Sequence, residues 1–235
     1  MKKLRYYFTV GLLVISSQNA VAAENGLFGY THLLPSPLTL PSGTLVFGTD
    51  LALGVTDFFQ VGTNLLSNFY NVYNVNAKVS LVDYQEFALA VTGSYVRFNY
   101  QQIDSRNPDL GVSSILPGMV GAVEIAPALA WFIGGNLNYS SQSLTSDGVQ
   151  TSGYMSGASL SSDLSFAYNT LGKKGRAKGV GNAASAGVSY DVNYKLFGIG
   201  VSHHWPGFHL GIHYYPGADL YPVRPILSGG GVWKF

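Results

Sequence analysis

The stretch "VSHHWPGFHLGIHYY" holds four of the five histidines in the chain. Imidazole is the commonest metal ligand and the side chain whose charge changes nearest neutral pH. If Pro206-Gly207 centres a hairpin, His204 stands opposite His209 on one face and Trp205 opposite Phe208 on the other, with paired positions within about 5.5 Å. His204, His209 and His213 are then candidate metal ligands, although no carboxylate adjoins them in sequence. The plainer alternative is that they are wall residues beside a turn. A second chemistry starts from Ser202 and His204, which share a strand face about 7 Å apart. A turn at Lys195 is expected to set Ser185 opposite His204. A serine nucleophile with a histidine base also needs a carboxylate to orient the base. Asp191, roughly 20 Å along the strand from Ser185, is too far away to serve. No catalytic residue is assigned on this pattern. The loop from Gly172 to Gly181 carries Lys173, Lys174, Arg176 and Lys178. It has neither the Gly-Lys-Ser/Thr step nor the strand-to-helix setting of a phosphate-binding loop, and it reads as a solvated loop.

These residues need elements to hold them, and composition narrows the kind. Charged residues make up 11% of the chain, against about 25% in soluble globular proteins. There is no cysteine, which excludes disulfides, thiolate metal sites, a cysteine nucleophile and a lipoprotein anchor. Lys2, Lys3 and Arg5 precede an apolar run from Tyr6 to Ile15, and Ala20, Val21 and Ala22 supply an A-x-A step. Residues 1–22 therefore read as a secretory signal peptide and 23–235 as the mature domain. Nothing in the charge balance points to nucleic acid. No cofactor is expected. Beyond the leader no apolar stretch reaches the length of a spanning helix.

Period-two alternation dominates what remains. Leu45, Phe47, Leu51, Leu53 and Val55 alternate with Val46, Gly48, Asp50, Ala52 and Gly54. Tyr73, Val75, Ala77, Val79 and Leu81 alternate with Asn74, Asn76, Lys78 and Ser80, and Leu129, Trp131, Ile133, Leu137 and Tyr139 with Ala130, Gly134, Asn136 and Asn138. One face is apolar; the other is Gly, Ser, Asn and Ala rather than the Lys and Glu that a water-facing sheet carries. The pattern predicts an all-β chain, an antiparallel transmembrane β-barrel with the apolar face toward lipid. Strands are expected near 27–34, 44–55, 58–66, 71–82, 86–100, 117–125, 128–141, 153–168, 184–193, 196–205, 208–215 and 225–235, which makes twelve. The alternative is ten, with 24–42 as an N-terminal plug. "QQIDSRNPDLGVSSILPG" and "SQSLTSDGVQTSG" read as exposed loops. The lumen is expected to be lined by Asp50, Asn74, Asn76, Lys78, Glu124, Asn136, Asn138, Asp163 and Asp191, with His204, His209 and His213. Tyr73, Tyr95, Tyr139, Tyr168, Trp205, Phe208, Tyr214, Trp233 and Phe235 crowd toward strand ends, where aromatic girdles mark membrane interfaces.

With its leader, alternating strands, short turns on one side and last strand "LSGGGVWKF", the chain resembles bacterial outer-membrane β-barrel proteins. The resemblance implies residence in the cell outer membrane among its lipids and lipopolysaccharide. It also implies insertion by the barrel-assembly machinery after export, with Trp233 and Phe235 as the signal on the last strand. It is not specific for activity. Outer-membrane phospholipases and lipid A deacylases carry a His-x-Ser order on a strand, and "SHHW" reverses it. The leading expectation is a non-catalytic barrel, either a small pore or a structural and surface protein. A carrier of apolar ligands plugged by 24–42 and a lipid-modifying enzyme using the Ser/His cluster are the alternatives.

Overall fold

The computed structural model describes residues 28, 33–48, 50–69, 71–84, 86–100, 109–146, 149–168, 182–205, 208–216 and 226–234. The expected leader over 1–22, the basic loop and Phe235 lie outside these residues. In chain order the elements are β1 (Leu45–Gly48), β2 (Asp50–Thr56), β3 (Phe59–Asn64), a one-turn helix α1 (Leu65–Phe69), β4 (Val72–Asp83), β5 (Phe87–Tyr100), β6 (Asp109–Ala126), β7 (Leu129–Ser146), β8 (Val149–Tyr168), β9 (Asn182–Asp191), β10 (Leu196–Trp205), β11 (Phe208–Tyr214) and β12 (Ile226–Lys234). The chain is all-β, and its strands form one antiparallel sheet.

Sequential strands pair with one another from β1 to β12. β1 also pairs with β12 through Val46↔Lys234, Phe47↔Trp233 and Gly48↔Val232, so the strand order closes on itself. The turns at 57–58 and 127–128 and the Trp205–Phe208 pair lie at the same end of the sheet as the first residue of β1 and the last of β12, which we call the near end. The far end carries α1 and the 192–195 turn.

Two expected boundaries change. Of the first expected strand, 27–34, only residues 28, 33 and 34 are described, and none of these pairs in the sheet: Phe28 lies against Phe132 with ring centroids 6.2 Å apart, and Leu34 is buried in the same cluster. The expected strand over 44–55 is instead a hairpin, with Leu45↔Leu53, Val46↔Ala52 and Phe47↔Leu51. Alternation could not register this reversal. Partners across a strand pair share a face, and Phe47 and Leu51 differ by an even number, so the pattern runs through the turn unbroken.

The expected exposed loops shrink as well. Residues 109–118 belong to β6, and Ser146 pairs with Val149, leaving only Asp147-Gly148 between β7 and β8. Asp-Gly is a favoured hairpin dipeptide. The far parts of β6 to β8 are polar on both faces: Ser113 and Ser141 meet at 2.8 Å on one side, Ser114 and Ser140 at 2.8 Å on the other. With neither face apolar, the strands lack the contrast from which periodicity is read.

Candidate functional site

Burial runs opposite to that of a water-soluble fold. Phe58 and Leu160 are each 60% exposed, whereas Asp163 is 1% and Ser165 0% exposed. Along β10 the outward residues Phe197, Ile199, Val201 and Trp205 are exposed, while Ser202 and His204 are buried. The polar set expected on the inner face is found there. Asp50, Asp163, His204, His209 and His213 are buried, and Asn74, Asn76, Lys78, Glu124, Asn136, Asn138 and Asp191 are partly covered on the same side of their strands. The outward aromatics Tyr73, Tyr95, Tyr139, Trp205 and Phe208 are exposed.

The interior is occupied by the chain itself. Residues 33–42 enter beside β8, cross to β4 and leave at the β2–β3 turn. Asp163 Oδ2 accepts Leu33 N–H at 2.7 Å and Leu34 N–H at 3.1 Å. Lys78 Nζ donates to the Ser36 carbonyl at 3.0 Å, and Leu40 N–H donates to Gln60 Oε1 at 3.0 Å. Ser42 N–H reaches Asp57 Oδ1 at 2.8 Å, and Thr39 Oγ1 donates to the Asp57 carbonyl at 2.5 Å. Leu34 packs with Phe28, Ala88, Ala90, Val120, Ala122, Ala130 and Phe132 toward the near end.

Sequence and wall agree with this course. Pro35, Pro37 and Pro41 have no N–H to satisfy, which suits a segment outside the sheet ladder. Gly187 faces Asp163 across the β8–β9 pair, and a Cβ there would fall on the Asp163 carboxylate and within 3.0 Å of Leu33 Cδ1. Gly54 likewise makes room for the Pro41 carbonyl, and Gly134 for Leu34. Small inner residues fill a barrel poorly, which would suit the small pore among the expected roles. Around this segment they instead admit the chain's own backbone.

Beside the occupied zone lies the histidine and serine cluster. Ser165, Ser185 and Ser202 form a row across β8, β9 and β10, with Ser185 Oγ donating to Ser165 Oγ at 3.0 Å. The expected Ser185–His204 pairing is shifted by two residues: Ser202 pairs with Ser185, and His204 with Ala183. The turn of β9–β10 contains four residues, 192–195, and that length sets the register. Asp191 Oδ1 stabilises it by accepting Asn193 and Tyr194 N–H, each at 2.9 Å. Burial, and secondarily the Asp191 charge, hold the Tyr194 phenol above the usual tyrosine range.

His204 stands opposite His209, their rings stacked with centroids 5.6 Å apart, and Trp205 stands opposite Phe208, as the hairpin pattern predicts. His213 stacks on Tyr215 at 4.5 Å. No three His, Asp or Glu side chains among the described residues form a metal-binding group. Ser202 Oγ and His204 Nε2 do meet, at 3.0 Å, which is the contact a general base makes with a serine nucleophile. The carboxylates on neighbouring strands have other tasks: Asp163 binds the inner segment and Asp191 caps a turn at the far end.

On the outer surface Tyr168 Oη meets His203 Nε2, and the His203 ring lies 4.1 Å from that of Trp205. With Phe166 and Phe208 they make an aromatic band at the near end.

No family model and no curated protein matches the chain.

Proposed function

We propose that the chain is an integral outer-membrane protein, a twelve-stranded transmembrane β-barrel whose lumen is closed toward the periplasm by residues 33–42. The role is non-catalytic: a plugged passage, or a structural and surface element of that membrane. The observation that carries this reading is the inverted burial, with apolar side chains outward around the sheet and Ser, Asn, Asp and His inward. In water such a surface would drive association. In a bilayer it is the required arrangement, because closing the sheet satisfies every ladder hydrogen bond and the apolar face meets acyl chains. The band of Tyr168, His203, Trp205 and Phe208 is suited to an interface with lipid headgroups. Residues 1–22 serve as the export leader. Trp233 and Phe235 supply the aromatic last strand that the assembly machinery reads.

Refolded into a planar bilayer, the mature chain should show little conductance, and deletion of 24–42 should open a steady, ohmic current. A current of equal size in both proteins would remove the plug from this account. A hydrolytic role has one observation in its favour, the Ser202–His204 contact. Unchanged lipid A and phospholipid profiles when the protein is overproduced would count against it, whereas a change abolished by Ser202→Ala would favour it.

A further inference from the structure

We propose that the cleft between the inner segment and strands β2 to β5 binds a small monovalent organic anion, with Lys78 holding its carboxylate. The proposal rests on the plugged-barrel reading, which makes this cleft the floor of a vestibule open to the cell exterior.

The cleft is small, with about 30 Å³ of room for the centre of a water-sized molecule, and it opens to one side. Pro35 of the inner segment forms one edge; Asp50, Gln60, Asn76, Lys78 and Thr92 supply its polar wall. Gln60, Lys78 and Thr92 are directly paired neighbours on three successive strands, and Asn76 lies two positions from Lys78 on the same face. Directly paired side chains start about 5 Å apart, so these groups converge on one volume.

Their hydrogen bonding is incomplete in one direction. An ammonium group has three donors. Lys78 uses one on the Ser36 carbonyl, and among the described residues it has no ion-pair partner. Gln60 gives its Oε1 to Leu40 N–H, leaving its –NH2 as the part of the amide available to the cleft. Thr92 and Asn76 complete the polar wall with a hydroxyl and an amide. A partly covered cation beside several donors is stabilised by an anion that accepts from all of them.

Asp50 sets the charge class. Its carboxylate, held by Asn64 Nδ2 at 2.8 Å, stands in the same cleft. Among the described lining residues Lys78 can pair with one negative charge on the ligand, and the Asp50 carboxylate repels a second. A carboxylate is therefore accepted and a dianionic phosphate disfavoured.

The test uses the refolded full mature chain in detergent, with acetate and inorganic phosphate as probes and saturation-transfer NMR of acetate as the readout. Saturable acetate binding that phosphate fails to displace is expected. Lys78→Gln keeps a donor for the Ser36 carbonyl on a side chain one bond shorter, and should weaken acetate at least about tenfold. Asp50→Asn should let phosphate compete. Should Lys78→Gln not fold, Thr92→Val tests the same site and should weaken acetate several-fold. Absence of saturation, equal affinity in the folded variants, or displacement by phosphate in the wild-type chain would overturn the proposal. Partition into liposomes, read on the same samples, tests the barrel separately. Acetate binding without partition retains the cleft and sinks the membrane reading, and partition without acetate binding does the reverse.

Discussion

Lys195 occupies the left-handed backbone region, φ 52°, in an exposed turn. A side chain there costs roughly 1–2 kcal/mol that glycine does not incur. Lys195→Gly should therefore raise stability by about 1 kcal/mol, less the entropy that glycine adds to the unfolded chain. Thermal unfolding in detergent measures this, and a lower midpoint would show that the lysine makes contacts worth more than the strain. Asp163 presents the opposite case, a buried carboxylate with a structural task. Removing its side chain leaves the Leu33 and Leu34 N–H groups without that acceptor, a loss of roughly 1–3 kcal/mol. Asp163→Ala should speed chymotrypsin cleavage within 33–40, and Asp163→Asn, which keeps an oxygen in place, should do so less. Equal cleavage in all three proteins would mean that the inner segment is held by its apolar contacts alone.

At the scale of elements, what was legible in the sequence is what alternation encodes. It placed Ile133, Leu137 and Tyr139 outward and Asn136 and Asn138 inward because their strand separates two different surroundings. It overlooked the β1–β2 reversal, which preserves parity, and the far halves of β6 to β8, where both faces are polar. The histidine hairpin was readable because Pro-Gly is a turn dipeptide in sequence, and two residues between Trp205 and Phe208 imply the register that pairs them. The Ser185 pairing was not, since the length of the 192–195 turn decides it and no residue there announces four rather than two. The inner segment was foreseeable as the plug alternative, and its prolines are the signal that separates it from a strand. The contacts of Asp163, Gln60 and Lys78 with that segment depend on side chains far apart in sequence, so no local pattern shows them. If the outward face meets lipid, Ile133→Arg should cost roughly 2–4 kcal/mol and lower the yield of assembled barrel in vesicles. The same change at Tyr154, exposed near the far end of β8, should have little effect. Equal losses at both sites would argue that general folding, rather than membrane depth, sets the penalty.

At the scale of the whole molecule, low charge, inverted burial and a closed strand order support one another. A chain with 11% charged residues has few side chains with which to solvate an outer surface. This one places many of its polar groups on the inner face or along the far strands. In the proposed barrel the inner segment fills the near half of the interior, and the space beyond it is lined by polar side chains. Conductance and ligand binding both depend on that division of the interior, and the division depends on the outer face lying in lipid.

The most direct test of that claim is a cysteine scan along residues 131–139, made clean by the absence of native cysteine. Single nitroxide labels in the vesicle-inserted protein would be read for collision with oxygen, which concentrates in acyl chains, and with a water-soluble nickel chelate. The account predicts period-two alternation, with 131, 133, 137 and 139 open to oxygen and closed to nickel. Nickel access at those outward positions, or no alternation along the strand, would contradict it.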